Sequence, residues 1–150
     1  MVTETNAQKQ QNPEATTATV EKLLAALADA RKDVSIRLAP RRRTEMGQFF
    51  TPSPIATFMA GMLDCGKSTV RVLDPGAGAG SLCAALVLTL CKRLRRPASI
   101  IVTAYEIDPI LVGCLRQTLD RCRRACTSVG ISFQARLIDQ DFLEAERRSR

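Results

Sequence analysis

Apolar positions along the chain follow a helical rhythm first and then alternate between helical and extended rhythms. Val20, Leu23, Leu24 and Leu27 recur at helical spacing, and Thr17 or Thr19 suits the N-cap of a helix ending near Arg31. Ile55, Phe58, Met59 and Met62 repeat that spacing after Pro54, a residue suited to a first helical turn. Val70–Leu73 is then a short run rich in β-branched residues. Ser81–Leu94 is apolar at first and basic at its end, where Lys92, Arg93, Arg95 and Arg96 complement a helix dipole. Ile100–Tyr105 is a second strand. Pro109 to about Ser128 is a helix built on Leu111, Val112, Leu115 and Leu119, stopped by Gly130. Ile131–Ile138 alternates Ile131, Phe133, Ala135 and Leu137, as a third strand does. Strands that alternate with helices predict an α/β fold with a parallel sheet and right-handed crossovers.

The remaining segments divide the chain. Residues 1–17 are rich in Thr, Gln, Asn and Ala, bury too little to offset the entropy of ordering, and read as a flexible tail. Residues 18–43 hold the N-terminal helix and a basic linker with Arg37, Arg41, Arg42 and Arg43. Residues 44–150 carry the sheet. With 45% hydrophobic residues the chain as a whole is not a disordered one. Its 22 basic residues against 15 acidic ones leave +7, a balance compatible with a polyanionic partner such as nucleic acid.

Histidine is absent, which excludes histidine-ligated zinc, a Ser-His-Asp triad and a histidine general base in this chain. Cys65, Cys83, Cys91, Cys114, Cys122 and Cys126 form no C-x-x-C pair, and read as small core residues in a reducing compartment. No metal is expected. The first residues, MVTETNAQKQ, contain no apolar signal core, and no stretch is long and apolar enough to span a membrane. A cytoplasmic location is expected.

The candidate chemistry centres on VLDPGAGAGS, residues 72–81, between a predicted strand and a predicted helix. Open parallel sheets bind nucleotides at that position. Its glycines permit positive φ and close approach to a ligand, and the free N–H groups of the following helix favour an anionic group. The spacing is G-x-G-x-G, and Ser81 stands where a dinucleotide fingerprint needs its last glycine. Asp74 at the strand end is unfavourable beside a pyrophosphate and favourable beside an amine or sulfonium. Glu106 ends the second strand, where it can accept from both ribose hydroxyls. Asp141 and Phe142 follow the third strand at the same edge. A carboxylate there can accept from an adenine amino group, with Ile107 and Phe142 flanking the ring. Amino acid, ribose and adenine together describe S-adenosylmethionine rather than a nicotinamide dinucleotide.

GQFFTP (47–52), LDPGAGAGS (73–81), AYEIDP (104–109) and DQDFL (139–143), in that order, resemble the N-terminal half of adenine-N6 DNA methyltransferases of restriction-modification systems, the Eco57I/TaqI-like group. The resemblance covers about residues 44–143, and GQFFTP is its more specific element. It implies a class I methyltransferase fold: a Rossmann-like, doubly wound parallel sheet in which the first strand is central, here truncated after the third strand and preceded by a helical extension. It also implies S-adenosylmethionine as cofactor and DNA as the partner of the full-length protein. Carried over, Phe49, Phe50 and Thr51 border the methionine end of the cofactor, and Asp74, Gly76, Gly78 and Gly80 line it. Glu106 holds the ribose, Ile107 the adenine face, and Asp141 the adenine amino group, with Phe142 beside it.

The family's catalytic motif, Asn, Asp or Ser followed by Pro-Pro and an aromatic residue, does not occur in this sequence. In the family it holds the flipped adenine. EAERRSR (144–150) falls about where the fourth strand is expected to begin. Without that strand Val70–Leu73 becomes an exposed apolar edge and the crevice lacks a wall, so low stability and weak cofactor binding are expected of this chain alone. Methyl transfer to an amino nitrogen relies mostly on positioning, so the lack of histidine is no obstacle. The alternatives are a methyltransferase acting on RNA or protein, and a non-catalytic subunit whose partner chain completes the sheet. A nicotinamide dehydrogenase stands further off.

Overall fold

The computed structural model describes residues 51–63 and 66–148. The expected N-terminal tail, helix and basic linker, together with Phe49 and Phe50, lie outside the described residues. Among the described residues seven elements follow one another: α1 (Ser53–Gly61), β1 (Thr69–Asp74), α2 (Ser81–Lys92), β2 (Ser99–Tyr105), α3 (Pro109–Ser128), β3 (Ser132–Ile138) and α4 (Phe142–Arg148). The strands form one parallel sheet in the order β1-β2-β3, a truncated Rossmann-like α/β arrangement.

The register explains the burial. Val70, Ile100 and Phe133 lie abreast, then Val72, Val102 and Ala135, then Asp74, Ala104 and Leu137. Apart from Asp74, these in-phase residues join the core with α1, α2 and α3, centred on Val87, Leu90, Ile100, Val102 and Leu115. Burying each such large apolar side chain contributes about 1.5–3 kcal/mol. Two right-handed crossovers that step in the same direction across a sheet place their helices on the same face. Among the described residues the winding is therefore one-sided. The other phase (Arg71, Leu73, Ile101, Thr103, Gln134 and Arg136) is exposed or half-buried.

Three elements differ from the sequence expectation. Helix α1 forms where the spacing of Ile55, Phe58, Met59 and Met62 predicts a helix, but those residues do not make its buried face. It buries Ala56 and Ala60 instead and leaves those four exposed. The segment is apolar on nearly every side, so periodicity does not choose a face, and the two alanines allow the closest approach to α2. Residues 142–148 form a helix rather than the start of a fourth strand. Asp141 caps it, its Oδ1 accepting from the Glu144 N–H at 3.0 Å, and Glu144, Ala145, Glu146, Arg147 and Arg148 are mostly helix formers. Helix α2 stops at Lys92 because Arg93 is extended. The basic run beyond it satisfies carbonyls: Arg96 Nε donates to the Cys91 carbonyl at 2.8 Å and an Arg93 guanidinium nitrogen to that of Leu63 at 2.7 Å.

Strand β1 lies at the edge of the three strands. Val70 and Val72 turn inward, so the apolar exposure of that strand is confined to Leu73, which is 57% exposed. Cys83, Cys91, Cys122 and Cys126 are all buried in the core shared by α2 and α3 and are unpaired as disulfides. A hydrogen bond with Cys83, together with burial, pushes the Cys122 thiol well above its ordinary range. No helix among the described residues is long and apolar enough to cross a membrane.

Candidate functional site

Parallel strands in register deliver their carboxyl ends to one edge. Backbone hydrogen bonds stitch the following loops together there: Ala77 N–H to the Tyr105 carbonyl at 2.9 Å, and Glu106 N–H to that of Ile138 at 3.1 Å. The loop Pro75–Gly80 thus lies beside the segment Glu106–Asp108, which continues β2.

The loop turns through two residues in the left-handed region, Gly78 at φ +57° and Gly80 at φ +83°. Only glycine adopts these values routinely. Gly80 is also the N-cap of α2, and no side chain caps that end. The N–H groups of Ser81, Leu82 and Cys83 have no acceptor within the helix, because the first intrahelical bond is donated by Ala84 to Gly80. A Cβ added at Gly76 or at Gly78 would meet nothing within 4 Å, so both open onto free space. At Gly80 a Cβ would lie 2.9 Å from both Leu115 Cδ1 and Thr118 Cγ2, so this glycine is required by packing against α3.

Two acids face this loop. Asp74 accepts from the Gly76 N–H, and its carboxyl is nonetheless held above the usual range, chiefly by burial and also by the negative charge of Glu106. Glu106 is buried, and both its oxygens are engaged. Oε2 accepts from the Gly78 N–H at 2.8 Å and Oε1 from the Asp108 N–H at 2.8 Å. Asp108, only 1% exposed, is the N-cap of α3, its Oδ1 accepting from Ile110 N–H at 2.8 Å and Leu111 N–H at 3.4 Å. Glu106 therefore joins three structures: the glycine loop, the end of β2 and the start of α3. An acid beside another acid around an open glycine loop is an environment for a cationic, hydroxyl-bearing ligand.

The other expected residues are placed less uniformly. Ile107 follows Glu106 and is 53% exposed. Phe142 sits edge-on to Tyr105, with ring centroids 5.1 Å apart, so its ring is tied to the end of β2. Asp141 commits Oδ1 to capping α4. Thr51 is half-buried in the segment before α1. Beside the crevice, along the free edge of β1, an apolar groove of about 290 Å³ lies between α1, β1 and α2, with Leu63, Leu73, Asp74 and Leu82 in its walls. Among the described residues, no group of three or more metal-ligating side chains converges.

Two residues of the site escaped the sequence reading. Asp108 carried a usable signal, an Asp immediately before a proline that opens a helix. Thr118 carried almost none. It is a buried hydroxyl on the apolar stripe of α3, and its Oγ1 donates to the Ala79 carbonyl at 2.8 Å across 39 positions of sequence.

Comparison with known proteins agrees with this architecture. A family model described as N-6 DNA Methylase matches residues 24–105. The type II methyltransferase M.PstI of Providencia stuartii is 35% identical over 103 residues, which is 69% of this chain and 20% of that protein. The type II methyltransferase M.BsuBI of Bacillus subtilis is 36% identical over 105 residues, again 69% of this chain and 20% of the relative. The chain thus aligns with about a fifth of the length of either relative.

Proposed function

The chain belongs to the N-6 DNA methylase family, and we propose that the crevice at the carboxyl edge of its sheet is the S-adenosylmethionine site of an adenine-N6 DNA methyltransferase. The observation that carries this reading is the meeting of Asp74 and Glu106 around a glycine loop that is open at Gly76 and Gly78. The donor set fits the group. Asp74, whose carboxyl burial and Glu106 hold above the usual range, gains a counter-charge from the amine and sulfonium of the ligand. Each Glu106 oxygen accepts one backbone N–H, and a carboxylate oxygen has two acceptor directions, so both retain capacity for a ribose hydroxyl. Gly76 and Gly78 let the backbone approach, Gly80 turns the chain into α2, and the uncapped start of α2 suits the ligand's carboxylate. Ile107 and Phe142 flank the adenine, and Asp141 accepts from its amino group through the oxygen not used in the cap. The family resemblance assigns Thr51, together with Phe49 and Phe50, to the methionine end.

When bound, S-adenosylmethionine supplies a methyl group activated by its sulfonium sulfur. The proposed acceptor is an adenine amino nitrogen in DNA. The residues that hold that base, of the Pro-Pro-aromatic type, are not in this sequence, so the chain's contribution is cofactor binding and orientation. The apolar groove beside β1 supports a further strand pairing along that edge, drawn from elsewhere in the protein or from a second chain.

Calorimetric titration of the full chain with S-adenosylhomocysteine tests the reading, with NAD as the comparison ligand. Glu106→Gln is expected to weaken binding roughly tenfold or more, since a hydrogen bond to a charged group contributes about 1.5–3 kcal/mol. Absence of S-adenosylhomocysteine binding, or a preference for NAD, overturns it.

A further inference from the structure

We infer that Thr118 is a positioning residue for this crevice, acting through the peptide that joins Ala79 to Gly80; the inference rests on the reading of the crevice as the S-adenosylmethionine site. That peptide is held at both ends. Its carbonyl accepts from Thr118 Oγ1 at 2.8 Å, and its N–H donates to the Ala77 carbonyl at 2.8 Å. It lies between the two left-handed residues of the loop and leads directly into α2. It fixes the backbone entering Gly80, the N-cap from which α2 starts without a side-chain cap.

Thr118 is 3% exposed in an otherwise apolar buried stripe that includes Leu111, Leu115, Leu119 and Cys122. A hydroxyl in such a seam is costly without a partner, and its partner is the loop rather than its own helix. The same side chain closes the space beside Gly80, where Cγ2 would stand 2.9 Å from an added Cβ. Thr118 therefore fixes the loop twice, by a donated hydrogen bond and by contact. Both act on a segment proposed to touch the cofactor, from a residue that does not touch it.

The test compares Thr118→Val, which keeps the shape and removes the donor, with Thr118→Ser, which keeps the donor and removes the methyl. Binding of S-adenosylhomocysteine to the full chain is measured by calorimetry, and thermal unfolding is recorded alongside. Thr118→Val is expected to weaken binding about tenfold, because the Ala79 carbonyl loses its partner and the peptide is free to turn. Thr118→Ser is expected to bind within about twofold of the parent, since the serine hydroxyl reproduces the donor. Thr118→Ala takes the place of the valine variant if valine prevents folding. If the valine or alanine variant unfolds earlier yet binds unchanged, Thr118 is only structural and the inference fails alone. A tenfold loss in the serine variant overturns it as well. If the parent chain binds no S-adenosylhomocysteine, the reading of the crevice fails and takes the inference with it.

Discussion

Replacing each loop glycine by alanine in turn separates backbone strain, packing and ligand approach within six residues. Gly80→Ala combines two penalties. A non-glycine residue at φ +83° costs roughly 1–2 kcal/mol. Its methyl would also stand 2.9 Å from Leu115 Cδ1 and Thr118 Cγ2 and 3.3 Å from Thr118 Cβ. Leu115 is fully buried and cannot swing away, so overpacking adds about 1–3 kcal/mol. The sum, about 2–5 kcal/mol, is a large share of the 5–15 kcal/mol typical of a domain. Gly78→Ala meets only the first penalty, about 1–2 kcal/mol, because nothing lies within 4 Å of its Cβ. Gly76→Ala meets neither. It is neutral or stabilising by up to about 1 kcal/mol through the unfolded state, while its methyl obstructs the crevice and weakens cofactor binding. The assay is urea unfolding of the full chain followed by circular dichroism. With a slope near 2 kcal/mol per molar, Gly80→Ala lowers the midpoint by about 1–2.5 M. Equal midpoints for all three variants, or a Gly80→Ala shift no larger than that of Gly78→Ala, would refute the packing argument.

Two other predictions concern charge and capping. Asp74 starts above the ordinary carboxylate range because of burial and Glu106, and a cationic ligand stabilises its ionised form. Affinity for S-adenosylmethionine is therefore full above the raised pKa of the free protein and falls as pH drops through it. Asp74→Asn removes this dependence, and calorimetry across mildly acidic pH shows whether it does. Asp108→Ala removes the N-cap of α3 and costs about 0.5–2 kcal/mol. It leaves the Asp108 N–H in place for Glu106, so cofactor affinity measured on the folded variant stays close to that of the parent.

Much of this protein was legible in the linear pattern. The strands at Val70–Leu73, Ile100–Tyr105 and Ile131–Ile138 reappear within a residue at every end, because β-branched runs bounded by glycine and proline are local signals. Helix α3, Pro109–Ser128, has the bounds expected from its stripe and from Gly130. Helix α4 is not legible in the same way: Asp141 suits a ligand carboxylate as well as an N-cap, and none of the helix's seven residues is buried. The spacing that predicts α1 does not choose the face it buries: large apolar residues dominate the pattern, whereas close packing against α2 favours Ala56 and Ala60.

The sequence by itself determined the order of elements, the parallel sheet and the edge at which acids and glycines gather. Each of those depends on residues near one another in the chain or on the general rule of right-handed crossovers. Only the tertiary structure decided that Glu106 spends both oxygens on Gly78 and Asp108, and that Thr118 holds the Ala79 carbonyl. The first contact spans 28 positions and the last spans 39. A hydrogen bond of that reach depends on how α3 seats against the loop, and seating is set by the packing of Gly80 on Leu115 and Thr118, which no local pattern encodes.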